Sequence, residues 1–158
     1  FNEESDIIKH GNTYSGAVPV KYGEDPESTG DGSQIDWIVY RYADVLTLLS
    51  EAIVRQGNSV TQEAVDLLNQ IRVRAKLSPY TMGDIKGVDD FLDKMLQERG
   101  HEFWWEGNRR ADLIRHGKFI QNAIDRGSTT TKPEFVLFPL PQAVINEGKG
   151  IIIQNPGY

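Results

Sequence analysis

The stretch from Asp36 to Arg55 constrains the fold most, because it reads as a helix with almost no polar side. Ile38, Tyr42, Val45, Leu46, Leu49, Ala52 and Ile53 recur at helical spacing, with Trp37, Val39, Tyr40 and Leu48 beside them. Only Arg41, Asp44, Thr47, Glu51 and Arg55 form a narrow polar strip. Such a helix has to be packed on several sides, which a short chain struggles to provide. The spacing predicts a start near Asp36 and a stop at Gly57-Asn58, where a left-handed residue ends the helix. Ser59-Val60-Thr61-Gln62 has capping-box spacing, and a second helix follows with Ala64, Leu67, Leu68, Ile71 and Ala75 on one face. It stops at Ser78-Pro79. Small Ala52 and Ala64 fall where the two helices need to approach closely. The hairpin over 37–77 is roughly the length of one tetratricopeptide (TPR) unit, in a single copy.

Beyond a Gly-containing loop, Asp89 and Asp90 complement the dipole of a third helix. Phe91, Leu92, Met95, Leu96, Phe103 and Trp104 give its apolar face. Gly107-Asn108 interrupts it, and a shorter helix over Arg109–His116 ends at Gly117, so the predicted helices cover 88–117. Residues 127–158 read as an extended tail held by side chains, since Pro139 and Pro141 cannot donate to a ladder. The expected fold class is mainly α: a TPR-like helix hairpin, further packed helices and an extended irregular C-terminal tail. Residues 1–36 form a loop-like leader with one short strand around Val18–Tyr22, 37–126 a helical scaffold and 127–158 the tail, all within one larger domain.

Charge is distributed unevenly. Residues 1–36 hold 8 acidic and 2 basic residues, while 37–158 hold 15 of each, so the whole net charge of −6 sits on the leader. That balance lacks the clustered Lys and Arg of a nucleic-acid footprint. Cysteine is absent, which removes disulfides, thiolate nucleophiles and cysteine–metal sites. No apolar run approaches the ~18–20 residues of a membrane span. The chain starts Phe1-Asn2-Glu3-Glu4-Ser5 without a visible targeting segment, a start that fits a piece of something longer.

Four groups of residues invite a chemical reading. Glu98-x-x-His101 has the spacing of di-iron carboxylate bundles, but no second Glu-x-x-His exists, and surface charge explains it better. Glu98, Glu102 and Glu106 repeat every four residues. Arg99–Glu102, Glu106–Arg109, Glu106–Arg110, Arg109–Asp112 and Asp112–Arg115 stand at i,i+3 or i,i+4, which favours structural ion pairing over acid–base catalysis. Asp25–Asp36 places oxygen donors as a calcium loop would, with aspartate in place of the final glutamate and no helix before it. A mobile acidic loop is the plainer reading. Among aromatics suited to a sugar ring, Trp104 belongs with the core, Trp105 is partly exposed, and Tyr80, after Pro79, is the freest and the one ligand candidate. These residues call for no catalytic group, metal or cofactor.

Four ordered segments carry a resemblance. They are Arg41-Tyr42-Ala43-Asp44-Val45-Leu46 with Ser50-Glu51-Ala52; Leu68-Asn69-Gln70-Ile71-Arg72-Val73-Arg74-Ala75; Glu98-Arg99, Glu102-Phe103, Glu106-Gly107, Arg109-Arg110 and Asp112-Leu113-Ile114-Arg115; and Leu137-Phe138-Pro139-Leu140-Pro141 with Gln154-Asn155-Pro156-Gly157-Tyr158. Together, over residues 36–158, they resemble the C-terminal part of the SusD/RagB family of outer-membrane nutrient-binding lipoproteins. One departure is Asn146–Ile153, where the family usually has an Asn-Pro turn. The resemblance implies a longer, mostly helical protein with several TPR-like helix pairs, of which Arg41–Ala75 is the last. It implies a lipid anchor upstream on the extracellular face of the outer membrane, capture of oligosaccharide or another nutrient through upstream residues, and partnership with a SusC-like TonB-dependent transporter. It implies no catalysis, and it gives Trp104, Glu106 and Arg109 packing and pinning roles. The rival reading is a TPR-type protein–protein adaptor.

Overall fold

The computed structural model describes residues 21–23, 25–29 and 34–158, in which six α-helices and no strand occur. The expected strand at Val18–Tyr22 lies mostly outside them, and Lys21 and Tyr22 form a turn. Contacts divide the chain into two units, one ending at Gly107 and the other Asn108–Tyr158.

In the first unit, α1 (Tyr42–Gly57), α2 (Gln62–Arg74) and α3 (Val88–Glu102) pack on one another. The first helix begins six residues later than its apolar spacing suggested. Arg41 is extended, and its backbone N–H meets the carboxylate of Asp44 at 3.4 Å, which fixes the entry to α1. Trp37, Ile38, Val39 and Tyr40 therefore precede the helix as irregular chain. Asn58, at φ 43°, supplies the left-handed residue after α1. The cap of α2 is Thr61, whose hydroxyl accepts the Ala64 N–H at 3.2 Å; the expected Ser59–Gln62 box does not form, because Gln62 donates to Asp66 instead.

Two apolar clusters hold these helices together. Val54, Ala64, Val65, Leu68, Phe91, Leu92 and Met95 form the larger; Ala43, Leu46, Ile71 and Phe103 form the smaller. Close approach of α1 and α2 is made by Ser50 and Ala64, the Ser50 hydroxyl donating to the Ala64 carbonyl at 2.6 Å. Ala52, expected at that crossing, is exposed. The third helix ends at Glu102, and Trp105 adopts φ 68°, so the periodicity that placed Trp104 in the core breaks before it. Trp104 is 47% exposed.

The second unit contains α4 (Arg109–Arg115), α5 (Phe119–Asp125), a 3-10 turn (Pro133–Val136) and α6 (Gln142–Glu147). Gly117 (φ 66°) ends α4 as the sequence predicts, its N–H on the Ile114 carbonyl and that of Lys118 on Leu113. Residues 127–158 are less extended than expected, since they include α6 and the 3-10 turn that packs on α5. Their hydrophobic spacing is too short to announce single-turn helices. The Asn146–Ile153 departure folds as the end of α6, then left-handed Lys149 and Gly150.

Candidate functional site

Three acidic positions, Glu98 and Glu102 on α3 and Glu106 just beyond it, all lie buried. Burying a carboxylate is tolerable only where cations and donors replace water. The sequence supplies these from Lys21, from Arg41 just before α1 and from Arg72 and Arg74 of α2, rather than from the next turn.

Arg41, at the entrance of α1, grips Glu106 in a two-pronged pair, Nε to Oε2 at 2.8 Å and Nη2 to Oε1 at 2.9 Å. Its Nη1 pairs with the Glu102 carboxylate, and Nη2 also donates to the Glu102 carbonyl at 2.7 Å. Lys21 Nζ shares that carbonyl at 2.9 Å and pairs with Glu106. Two cations thus sit on a backbone carbonyl of the last turn of α3, where unsatisfied acceptors and the helix dipole favour positive charge. Arg74 of α2 takes the second oxygen of Glu102.

Deeper in, Arg99 is 3% exposed. It meets Asp44 at 3.2 Å and donates to the Thr47 hydroxyl. The guanidinium carbons of Arg99 and Arg41 lie 4.6 and 4.4 Å from the Phe103 ring centroid, within cation–π reach. The narrow polar strip of α1 is accordingly an interior feature: Asp44, Thr47, Ser50 and Glu51 all face inward, and Arg55 reaches back to Glu51 at 2.6 Å.

Glu98 is interior too, against the expectation of surface charge. It pairs with Arg72 and accepts the Tyr80 hydroxyl at 2.9 Å, while His101 is exposed. Tyr80 has more partners than a free loop aromatic would. The Asn69 side chain binds both its backbone groups, Nδ2 to the carbonyl at 2.8 Å and Oδ1 from the N–H at 2.7 Å. Arg72 stacks 3.8 Å from its ring centroid and donates to the Ser78 carbonyl at 2.8 Å. Asn69 and Arg72 together pin the turn after α2 to α3.

Titration follows this geometry. Burial alone would raise Glu106, but hydrogen bonds and charge from Arg41 and Lys21 outweigh it and hold the carboxyl below its usual range. Burial would lower Arg41; its bonds to Glu106 and Glu102 raise it instead. Burial, reinforced by the Glu98 hydrogen bond, raises Tyr80. Each shift keeps its group in the ordinary neutral-pH charge state, the opposite of the divergence that poises an acid and a base. Among the described residues no group of three or more His, Asp or Glu is placed to hold a metal. Part of the Asp25–Asp36 calcium reading, residues 30–33, lies outside the described residues; the Asp25 carboxylate itself accepts the N–H groups of Glu27 and Gln34 at 3.0 and 2.7 Å.

The second unit combines ion pairing and arginine contacts with neutral amide contacts from its last residues. Asp112 is buried and paired with Arg115 at 2.9 Å, the pairing along the helix that the spacing predicts. Burial lowers Arg109, with Asp112 opposing the shift and Arg126 adding to it. Arg110 donates to the carbonyls of Phe135 and Val136 at 3.0 and 3.1 Å, its guanidinium carbon 4.5 Å from the Phe119 and 4.2 Å from the Phe138 ring centroid. The terminal QNPGY residues hold the LFPLP residues by side chains. Gln154 binds both backbone groups of Leu140 at 2.8 and 3.0 Å, Asn155 donates to Phe138 at 2.7 Å and Tyr158 to Leu137 at 2.9 Å.

The first two segments and the start of the third build the cluster of the first unit, the rest of the third and the fourth build that of the second, and the SusD family model matches residues 2–158. The chain belongs to the SusD family. It is 27% identical to the starch-binding protein SusD of Bacteroides thetaiotaomicron over the whole of this chain and 27% of that protein. A SusD-like protein, P38, of Formosa agariphila is 38% identical over 53% of this chain and 18% of its own length. A SusD superfamily crystal structure from Parabacteroides distasonis superposes with a TM-score of 0.66 at 28% identity, covering 80% of this chain and 28% of that one. The surface glycan-binding protein A of Bacteroides thetaiotaomicron superposes with a TM-score of 0.61 at 30% identity, over 76% of this chain and 24% of its own. The chain thus spans between 18% and 28% of the length of these relatives, and its helical class is theirs.

Among the motif residues, the sequence named Arg41, Asp44, Asn69, Arg72, Arg74, Glu98, Arg99, Glu102 and Glu106, and the structure brings them onto one three-helix body. Gly107 takes φ 83° at the break that follows. Tyr42, from the same motif, is on the exposed side of α1. Sequence reasoning missed Lys21 as part of this cluster, and read Phe103 as apolar face without its contacts to Arg41 and Arg99. A lysine in a Gly-rich loop carries no spacing signal, whereas the polar strip on α1 did hold one.

Proposed function

We propose that this chain is the C-terminal scaffold portion of a SusD-like cell-surface glycan-binding lipoprotein, which works with a SusC-like TonB-dependent transporter and does no chemistry on its ligand. The observation that carries the reading is the family match across residues 2–158. Relatives named for binding starch and surface glycan, one of them solved with laminarihexaose, point to oligosaccharide as the ligand class. Within this portion the carboxylates and arginines pin helices, and ligand contact falls to residues upstream of it. The outer-membrane location follows from the family and an upstream lipid anchor; among the described residues no helix is long and apolar enough to cross a membrane.

Glycan retention tests this. The full-length protein, passed over immobilised starch and laminarin, is expected to be retained by one of them. Tyr80→Ala should leave retention unchanged, because its ring and hydroxyl are committed to Arg72 and Glu98. A full-length protein that binds no glycan, or one whose retention disappears with Tyr80→Ala while its fold is intact, would overturn the assignment.

A further inference from the structure

Within the second unit a cavity of about 310 Å³ is lined by residues of α4, α5, the 3-10 turn and the last segment. Phe119, Phe135, Phe138 and Tyr158 line it with aromatic rings, and Arg110 brings the one charge. Phe135 and Tyr158 stack with their centroids 6.0 Å apart. Phe138 is 69% exposed, so that side stays open to solvent. The volume lies at the small end of ligand sites and suits a single ring.

The charge is fixed in place. The Arg110 guanidinium lies against the Phe119 and Phe138 rings, and its Nη2 donates to the carbonyls of Phe135 and Val136. Among the described residues its Nε and Nη1 have no acceptor. No Asp or Glu side chain lines the cavity, and Glu134, which packs against Gly157, is outside the lining. An arginine stays charged at any ordinary pH, and spare donors on its planar fork match a carboxylate.

The rest of the lining decides what carries that carboxylate. The Tyr158 hydroxyl already donates to the Leu137 carbonyl at 2.9 Å, and the Thr131 hydroxyl is shared with Ser128 at 2.5 Å. A sugar ring would bring several hydroxyls into a place with few partners for them, and each one buried unpaired costs free energy. A flat apolar ring asks for no such partners and meets phenyl faces instead. We propose that this cavity binds a carboxylate borne on a single apolar or aromatic ring, with the carboxylate on Arg110 and the ring among the phenyl groups. The site is independent of the glycan reading, whose sugar contacts are assigned upstream.

The full-length protein is titrated with 3-phenylpropanoate and with its neutral amide, and binding is followed by ligand-observed NMR. The acid is expected to bind roughly tenfold more tightly than the amide, the difference being the charge-assisted pairing with Arg110. Arg110 also holds the Phe135 and Val136 carbonyls, so its removal would disturb the fold. Ala123→Leu fills the cavity from α5 and keeps the arginine; it should abolish binding with an unchanged circular dichroism spectrum. A short peptide ending in Phe with a free carboxylate presents the same chemistry from another source. A peptide that binds more tightly than the free acid makes the occupant a polypeptide terminus, and a weaker one makes it a small molecule; both support the site. Equal binding of acid and amide overturns it, as does no binding of either, or undiminished binding to a folded Ala123→Leu protein. Displacement of the acid by laminarihexaose would put sugar in the cavity and overturn it too. Glycan retention is read on the same samples: its loss while the acid still binds sinks the functional reading alone.

Discussion

Two stretches of irregular backbone, one after α3 in the first unit and one around Leu140 in the second, are held in place by opposite means. Around Glu102 and Glu106 the first unit uses charge: three cations on two buried carboxylates and a helix-end carbonyl. Around Leu140 the second uses neutral amides, with Gln154 copying the backbone partner that an adjacent strand would offer. Charged contacts are strong when complete and severe when one partner is lost, because the other remains buried. Amide contacts give less per bond and leave only a dipole behind. The stretch after α3 should therefore be the brittle one and the Leu140 stretch the tolerant one.

The largest effect is expected at Arg99→Ala, which leaves Asp44 inside the helix bundle without its cation. A loss of about 3–5 kcal/mol is predicted from urea unfolding. If the cost is instead below 1 kcal/mol, burial of charge does not separate the units, and the comparison fails. Gln154→Ala comes next, at about 1–3 kcal/mol, because the Leu140 N–H and C=O lose their partner together. Hydrogen exchange would locate that loss at Leu140, with amides in α3 unaffected.

How far these contacts were legible in the sequence depends on how far they reach along the chain. Helix ends at Asn58 and Gly117 were readable because the signal and the structure are neighbours. The along-helix pairing of Asp112 with Arg115 was readable for the same reason. Glu106 was not, since spacing offered it Arg109 or Arg110, and the fold takes its oxygens to Arg41 and Lys21, 65 and 85 residues away. Periodicity also treats polarity as outwardness. It correctly found a strip on α1 but not that Arg99 draws that strip inward, leaving Val45 and Leu49 on the other side. The family motif carried both facts without explaining either.

Acid sharpens the comparison with a smaller effect. Glu106 is held below its ordinary pKa in the folded state, so the unfolded chain takes up that proton first as pH falls. Its contribution is complete above the unfolded value, near pH 4 to 5, and is lost as pH drops through the folded one. Exchange protection at the end of α3 is expected to fall across that window. The Gln154 and Asn155 contacts contain no titrating group, so Leu140 should hold its protection until global unfolding. A parallel decline at both places would mean that the units do not open separately.

The smallest change probes local structure without charge. Thr61→Ala removes the hydroxyl that accepts the Ala64 N–H, and should cost about 1 kcal/mol. Ser59→Ala should stay within about 0.5 kcal/mol, since Ser59 is exposed and α2 is capped by Thr61 instead. Ala64 is fully buried against α1, with its carbonyl held by Ser50, so fraying of α2 from its first turn reaches the core directly. A cost at Thr61 well above that of an ordinary cap would mean that the neutral contacts of the first unit are as brittle as its ion pairs. Brittleness would then belong to the packing of the helices and not to the charge placed between them.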